Sequence, residues 1–301
     1  MAEKQAAEVV VLPREEDEDG KEPVLKNQFD LSVYDVDTTD VDLTHTRADH
    51  IPDLSQFSKI EELRMRNNLL TLCSPTLAAL SSLTSLDLIR QISGLDKLTK
   101  LEILYLVNNK IEKIENLDSL TQLQLLELGD NRIKTIENIS HLVNLEQLFL
   151  GKNKIRQIEG VETLQKLRVL SIPGNRLVKI ENIESLIDLK ELYLSDQGLQ
   201  DIHGVENLSN LTLLDVANNE IKTFSGVEKL EALNDFWAND NKVESFSEVD
   251  LLSKLKDLQT VYLERNPFYF HDTNQYRRKV MLTLTQITQL DATMCRQPTS
   301  S

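Results

Sequence analysis

The sequence predicts an α/β solenoid whose parallel β-sheet lines a concave face, and three observations support this fold class. Leucine and isoleucine recur at fixed positions in 22-residue repeats, an asparagine recurs in most repeats, and a helical apolar pattern follows the last repeat. Repeats of this kind pack only on their neighbours, so the core lengthens without widening. We therefore expect the 301 residues to form one repeat array, although the length alone would suggest about two globular domains.

The repeat becomes visible when one segment is compared with the segments before and after it. Its pattern is Leu-x-x-Leu-x-Leu-x-x-Asn-x-Ile, in which other apolar residues can replace leucine or isoleucine. Seven consecutive repeats share this register and begin at Leu101, Leu123, Leu145, Leu167, Leu189, Leu211 and Leu233. Seven repeats in one register indicate a leucine-rich-repeat solenoid.

Each position of the repeat has a structural role. In the Leu-x-Leu pair, for example Leu148 and Leu150, the leucines of a short strand point inward and the residue between them points out. The asparagine can bond backbone groups in the following turn, which predicts a ladder of stacked asparagines. Gln197 interrupts the ladder, so we expect a less regular turn at 195–198. The ladder residues are Asn109, Asn131, Asn153, Asn175, Asn219 and Asn241.

The convex side carries a second recurring motif, Ile-Glu followed by Asn or Gly, as at Ile114, Ile136 and Ile158. A repeat of this length leaves little room for a helix on this side. Short 3₁₀ turns are therefore expected there.

The pattern divides the chain into three segments: a disordered acidic tail over residues 1–40, the repeat array over 41–266, and a C-terminal cap and tail over 267–301. The tail contains 12 Asp and Glu residues against 4 Lys and Arg, and few large apolar residues. In the last segment, Tyr276, Val280 and Leu284 follow one another at every fourth position. This spacing predicts a helix that covers the exposed end of the core.

One repeat, over residues 83–100, is shorter than the others. Its leucines are Leu83, Leu86 and Leu88, and the next repeat already begins at Leu101. The ladder asparagine and the apolar residue after it are both missing. We therefore expect a strained or poorly ordered segment at residues 88–100.

The outward column of strand residues indicates function. Tyr105, Phe149, Tyr193 and Trp237 occur in this column at every second repeat, with Glu127 and Asp215 between them. Strands about 4.8 Å apart would place an aromatic side chain roughly every 10 Å along the concave face. Tyr262 continues the column, and Asp235 lies beside it.

These aromatic residues could instead belong to the core. The alternation opposes that interpretation, because Phe236 and Ala238 on either side of Trp237 already occupy inward positions. Exposed aromatic residues among acidic ones are typical of protein interfaces. We therefore interpret the column as a partner-binding site.

The composition argues against several other functions. The net charge of −16 opposes binding to DNA or RNA and favours a basic partner surface. Cys73 and Cys295 match no zinc spacing, the five histidines show no metal-ligand pairing, and no nucleophile or phosphate loop accompanies the carboxylates. We therefore expect no enzyme activity, metal or cofactor. No segment is typical of a signal peptide or membrane span, so we expect a protein of the nucleus and cytoplasm.

Several segments resemble one family closely. They are the Ile-Glu-Asn-Leu repeats, the segment 146–155 (EQLFLGKNKI), the ending 261–267 (VYLERNP) and the stretch 276–282 (YRRKVML). Over residues 41–295 the chain is similar to the leucine-rich-repeat regulatory subunit, subunit seven, of type-1 serine/threonine protein phosphatase. In that family, concave aromatic and acidic residues bind the phosphatase catalytic subunit and control its activity.

The resemblance implies the same role for the matching positions, which are Tyr105, Glu127, Phe149, Asp215, Asp235, Trp237 and Tyr262. Tyr105 replaces a phenylalanine of the family, and Asp235 replaces a glutamate. The resemblance also implies a phosphatase inhibitor protein as a further partner. The short repeat corresponds to the loss of one repeat plus four residues, with any acidic contact that the lost repeat carried.

Two other interaction roles remain open from the sequence. An acidic repeat protein could bind histones or other basic nuclear proteins, although such proteins usually carry a long acidic tract after the repeats. A cytoskeletal or ciliary scaffold is the other alternative. In each case we expect a monomer before binding, with no nucleic-acid or membrane partner.

Overall fold

The computed structural model describes residues 9–10, 28–29, 31–44, 46, 48, 51–65, 77, 80–87, 92 and 94–295. The chain divides into two compact units, Met1–Asn131 and Arg132–Ser301, which are described in turn below. Cys73, residues 88–91 and most of the tail predicted over 1–40 lie outside the described residues.

The N-terminal unit contains a parallel sheet with one strand from each repeat. Strands β1 (Val9–Val10) and β2 (Gln28–Phe29) form a separate antiparallel pair. The parallel sheet follows chain order and consists of β3 (Asp40–Asp42), β4 (Glu62–Arg64), β5 (Ser85–Asp87), β6 (Ile103–Tyr105) and β7 (Leu125–Glu127).

The C-terminal unit continues the pattern with strands β8 to β13. They pair in parallel and in chain order: β8 (Gln147–Phe149), β9 (Val169–Ser171), β10 (Glu191–Tyr193), β11 (Leu213–Asp215), β12 (Asp235–Trp237) and β13 (Thr260–Tyr262). Strand β14 (Gln289–Leu290) pairs in parallel with β13, and β15 (Thr293–Met294) pairs antiparallel with β14.

The strands confirm the alternation that the sequence predicts. In β8, Leu148 is fully buried whereas Gln147 and Phe149 are partly exposed, and Leu150 after the strand is buried again. Because successive side chains of a strand point to opposite faces, the leucines fill the core and the residues between them form the outward face of the sheet.

The asparagine ladder is present in both units. Asn219 is typical: its Oδ1 accepts a hydrogen bond from Leu199 N (3.0 Å), and its Nδ2 donates to Leu194 O in the preceding repeat (2.9 Å) and to Val216 O in its own turn (3.0 Å). Asn131 makes the corresponding bonds in the N-terminal unit. Asn131 and Asn219 therefore satisfy backbone groups of two neighbouring repeats, as buried polar groups require.

The expectation of an irregular turn at Gln197 is wrong for the backbone. Asp196, the residue before Gln197, has φ of 57°, and the residues before the ladder asparagines, such as Asn218 (51°), share this left-handed conformation. The longer side chain of Gln197 still accepts from Leu177 N (3.0 Å) and donates to Ile172 O. What changes at Gln197 is therefore the set of side-chain contacts and not the path of the chain.

The segments between the strands contain turns closed by hydrogen bonds from residue i+3 to residue i, for example Leu189 N to Leu186 O (3.0 Å). This is the hydrogen bond of a 3₁₀ turn. Longer elements follow in the last repeats: 3₁₀ helices at Val227–Lys229 and Phe246–Glu248, and α1 at Val249–Leu252.

The Asn or Gly of the convex motif occupies a left-handed backbone position. Asn182 has φ of 61° and donates from Nδ2 to Ile158 O (2.6 Å) of the preceding repeat. Gly160 has φ of 70°, and an added Cβ would lie 2.9 Å from Ile136 O. Both residue types tolerate positive φ, which explains why the motif alternates between them.

Two helices and the last strands cover the C-terminal end of the core. Helix α2 spans Pro267–His271 and α3 spans Thr273–Thr283. Tyr276 and Val280 of α3 are buried, as their spacing predicts. Arg277 donates to Leu290 O (3.1 Å), Thr293 O (3.2 Å) and Met294 O (2.9 Å), so this helix holds β14 and β15 in place.

In the N-terminal unit, Tyr34 contacts the repeat array although it lies in the segment that the sequence suggests is a tail. The ring of Tyr34 packs edge-on against Phe57 with centroids 6.5 Å apart. Its hydroxyl donates to Asp42 O (2.8 Å) and accepts from Asp42 N (3.0 Å). Tyr34 therefore ties this segment to the first strand of the parallel sheet.

Candidate protein-binding site

The eight residues predicted to contact a partner all lie on strands, at positions that alternate with the core residues. Tyr105 on β6 and Glu127 on β7 belong to the N-terminal unit and are register partners. The others belong to the C-terminal unit: Phe149 on β8, Tyr193 on β10, Asp215 on β11, Asp235 and Trp237 on β12, and Tyr262 on β13.

In the C-terminal unit, three of the predicted aromatic residues form a contiguous cluster. The ring of Trp237 contacts Tyr193 with centroids 6.2 Å apart and Tyr262 with centroids 5.9 Å apart, edge-to-face in both pairs. We refer to Tyr193, Trp237 and Tyr262 as the aromatic cluster. Such contacts add stability beyond the burial of area, by about 0.5–1.5 kcal/mol per pair.

The even spacing of about 10 Å that the sequence suggests from the strand separation is therefore wrong for Tyr193 and Trp237. Their strands are separated by β11, which carries the short side chain of Asp215 at the register position between them. The two larger rings therefore meet above it.

Both tyrosine hydroxyls of the cluster are held by neighbouring side chains. Tyr193 Oη donates to Glu191 Oε2 (2.8 Å), and Tyr262 Oη accepts from Gln289 Nε2 (2.8 Å). Burial raises the pKa of Tyr193 above its ordinary value, and the Glu191 carboxylate raises it further. Tyr193 therefore stays a neutral hydrogen-bond donor at physiological pH.

Asp215 lies beneath the cluster and is only 7% exposed. Its carboxylate accepts hydrogen bonds from Ala217 N (3.0 Å) and from the Ser195 hydroxyl. Burial nevertheless raises the pKa of Asp215 above its ordinary value, and it outweighs these two hydrogen bonds, which lower the pKa. A negative charge at this position is therefore costly in the free protein.

Trp237 has one polar atom, and that atom is unsatisfied. Its Nε1 is buried and finds no hydrogen-bond partner among the described residues. Leaving a buried donor unpaired costs about 1–3 kcal/mol. Neither tyrosine hydroxyl of the cluster accepts from Nε1: that of Tyr193 donates to Glu191, and that of Tyr262 accepts from Gln289.

A network of charged residues borders the cluster at the turns after β12 and β13. Arg265 donates from Nε to Asp240 Oδ1 (2.6 Å) and from Nη2 to Asp240 Oδ2 (2.8 Å), and it also bonds Glu264. The Arg265 guanidinium lowers the pKa of Asp240 below its ordinary value. This edge of the face therefore carries fixed charges of both signs.

Acidic residues of the outward column share one local arrangement. Glu127 Oε1 accepts from Gly129 N (2.9 Å), as Asp215 accepts from Ala217 N, so each carboxylate is bound to the amide two residues later. The same contact occurs in β3, where Asp42 Oδ1 accepts from Thr44 N (2.9 Å). This hydrogen bond fixes the direction of the carboxylate before any partner arrives.

Three residues outside the eight predicted positions support the site. Glu191 and Ser195 lie two residues either side of Tyr193, and the period-2 alternation places both on the outward face. Gln289 lies in β14, which follows the last repeat and carries none of its pattern. No signal in the sequence could have placed Gln289 against Tyr262.

The described residues offer this face a binding role and no evident chemistry. No three His, Cys, Asp or Glu side chains come together as a metal site within the described ranges. In the same part of the chain, no helix is long and apolar enough to cross a membrane. The arrangement of an aromatic cluster with carboxylates beside it is suited to contact with another protein.

Comparisons with solved structures and family models agree with this architecture. The family model described as "Leucine-rich repeat" matches residues 162–300, and that described as "Leucine Rich repeats (2 copies)" matches 121–163. The functional domain of InlJ from Listeria monocytogenes is similar, with a TM-score of 0.67 at 20% identity over 86% of this chain and 54% of that one. A leucine-rich-repeat protein of Leptospira interrogans has a TM-score of 0.66 at 23% identity over 83% of this chain and 71% of that one. The fold and these matches define a leucine-rich-repeat protein.

Sequence relatives identify the family more closely. The chain is 74% identical to the Caenorhabditis elegans protein phosphatase 1 regulatory subunit SDS22 homolog, over 99% of both chains. It is also 56% identical to the human protein phosphatase 1 regulatory subunit 7 over 41 residues, which are 14% of this chain and 11% of that protein. The chain belongs to the SDS22 family of protein phosphatase 1 regulatory subunits.

Proposed function

We propose that this chain binds the catalytic subunit of protein phosphatase 1 through the outward face of its sheet and controls the activity of that enzyme without chemistry of its own. The observation that carries the proposal is the aromatic cluster beside Asp215, in a chain 74% identical to a relative named as a phosphatase 1 regulatory subunit. A phosphatase inhibitor protein is proposed as a further partner of the complex.

The cluster has the composition of an interface hot spot. Tryptophan and tyrosine are among the residues whose truncation most often costs a protein interface about 2 kcal/mol or more. Phe149 adds a fourth aromatic side chain on the same face, and it is partly exposed. The carboxylates of Asp215 and Asp235 favour a partner surface that carries basic groups.

Binding is tested with purified phosphatase 1 catalytic subunit, by biolayer interferometry, against the wild-type chain and the double variant Trp237→Ala with Phe149→Ala. We expect a rise in Kd of about 100-fold or more, since each hot-spot truncation is worth roughly 30-fold or more. Phe270→Ala is the matched control, because Phe270 lies on α2 and is 62% exposed. This control should bind as the wild type does.

Two results would contradict the proposal: no complex with the wild-type chain, or equal affinity of the double variant and the wild type. Control of activity is tested separately by titrating the chain into a phosphatase assay with a phosphoprotein substrate. An unchanged rate at saturation would contradict that part alone. A histone H2A–H2B dimer in the same binding assay tests the acidic histone-binding alternative, which the net charge of −16 favours.

A further inference from the structure

Trp237 combines three features that do not fit a purely structural side chain. It is the only tryptophan of the sequence, it lies on the outward face of β12, and its Nε1 is buried without a partner among the described residues. A core residue in the same strand, Phe236, is fully buried and has no polar atom to satisfy.

The side chains around the indole leave this donor without a partner among the described residues. Tyr193 and Tyr262 enclose the indole from both sides, and each hydroxyl is engaged with another residue. Asp215, the nearest register partner with an acceptor, is bound to Ala217 N and the Ser195 hydroxyl. Among these described neighbours, no oxygen accepts from Trp237 Nε1 in the free chain.

Resting on the function proposed above, we propose that Trp237 Nε1–H is unsatisfied in the free chain and donates a hydrogen bond to a neutral carbonyl oxygen of the bound phosphatase. Binding then removes the cost of an unpaired donor, so the same atom contributes more to the complex than an ordinary surface hydrogen bond does. This hydrogen bond requires the partly exposed indole to rotate on binding, so that Nε1 turns from the cluster towards the partner.

The charges around the indole select the type of acceptor. Asp235 lies on the same strand and face, and the carboxylates of Asp215, Asp235 and Glu191 are close enough to Tyr193 to raise its pKa. A partner carboxylate would be repelled by these groups, whereas a main-chain carbonyl or a side-chain amide oxygen would not. The acceptor is therefore a neutral oxygen, from a partner segment that can carry basic side chains next to it.

A single tryptophan makes the test direct, since the indole N–H of ¹⁵N-labelled protein gives one signal. In the free chain, the proton should exchange slowly with solvent and resonate upfield, as expected of a buried N–H without an acceptor. On addition of unlabelled phosphatase 1 catalytic subunit, the signal should move downfield. Trp237→Phe, which keeps an aromatic ring and removes the donor, should weaken binding about 10-fold.

Tyr269→Phe on α2 is the matched control, because it also removes one polar atom from an aromatic side chain but lies outside the outward face. It should leave the affinity unchanged. An indole signal that stays in place in a fully formed complex, or an unchanged affinity of Trp237→Phe, overturns this inference and leaves the proposed function standing. Absence of any complex with the wild-type chain overturns both.

Discussion

Among single residues, Asp215 shows that the outward face is not a surface selected for stability alone. Its carboxylate is buried among aromatic rings, and burial raises its pKa above the ordinary value. Between the ordinary pKa and the raised one, the folded state therefore binds a proton that the unfolded state does not. Because of this difference, the free energy of unfolding falls as the pH rises through that window. A buried charge that lowers stability and faces a partner site is typical of a functional residue.

The substitution Asp215→Asn tests this cost. Asparagine keeps an oxygen for Ala217 N and removes the charge, so we expect the free energy of unfolding at pH 7 to be equal or higher, by up to about 1 kcal/mol. Urea unfolding measured from pH 4 to pH 7 should also show less loss of stability with rising pH than in the wild type. The affinity for the phosphatase should fall.

Asp188→Asn, at an exposed position between β9 and β10, is the control and should change neither quantity. A loss of stability in Asp215→Asn well beyond about 1 kcal/mol, the size of one lost hydrogen bond, would mean that the carboxylate is a structural group.

The alternation of residues allowed the side of the sheet to be predicted for all eight site residues, but not how they meet. The approach of Tyr193 to Trp237 depends on the shortness of Asp215 and on the rotation of both rings. The support of Tyr262 by Gln289 depends on a strand that pairs only in the folded chain. Neither fact is encoded in the period of the repeat.

At the scale of elements, the ladder is the feature that joins one repeat to the next. The Nδ2 of Asn241, for example, donates to Val216 O in the preceding repeat (2.9 Å) and to Ala238 O in its own turn (3.2 Å). The sequence predicted this ladder because an asparagine that recurs at one position of the repeat is best explained by hydrogen bonds to the backbone of the turn. The sequence did not predict that the turn at Gln197 keeps the regular backbone. The left-handed residue of this turn is Asp196, which precedes Gln197.

We expect Asn219→Ala to be strongly destabilising. Asn219 is 3% exposed, and its removal leaves Leu199 N and the carbonyls of Leu194 and Val216 without their side-chain partner. The loss should be about 2–3 kcal/mol in the free energy of unfolding, measured by urea denaturation.

Gln197→Asn is the complementary variant, because it restores the length that reaches the carbonyls of its own turn. It should raise the free energy of unfolding by about 0.5–1 kcal/mol. Equal stability of Asn219→Ala and the wild type would show that water replaces the ladder bonds without cost.

For the whole molecule, the clearest departure from regularity is the short repeat in the N-terminal unit. Strands β5 and β6 still pair in register, Ser85 with Ile103 and Leu86 with Leu104, although the chain between them is shorter than between the other neighbouring strands from β3 to β13. The loss is therefore taken up by the connection and not by the sheet. The alignment with the Caenorhabditis elegans relative extends over 326 positions, so at least 25 of them have no counterpart in this 301-residue chain. That difference agrees in size with the loss of one repeat plus four residues.

The short connection should be the least protected part of the N-terminal unit. The turn bonds of Leu98 N to Leu95 O (2.9 Å) and Leu101 N to Leu98 O (3.0 Å) have direct counterparts in the next repeat, at Leu120 and Leu123. Hydrogen exchange followed by mass spectrometry should show faster exchange at Leu98 and Leu101 than at this matched pair. Equal protection would mean that the shortened repeat closes without strain.

The side chains of the aromatic cluster also set how a complex would form and separate. Glu191 holds Tyr193 and Gln289 holds Tyr262, so both rings have given up most of their rotational freedom before any encounter. Ordering a mobile side chain at an interface costs about 0.5–1.5 kcal/mol. In this chain the two rings are already ordered in the free folded state, so binding adds little of that cost. Substitutions in these two supporting residues would then act on the lifetime of the complex more than on the speed with which it assembles. The side chains that hold the two rings would in this way determine how long the partner stays.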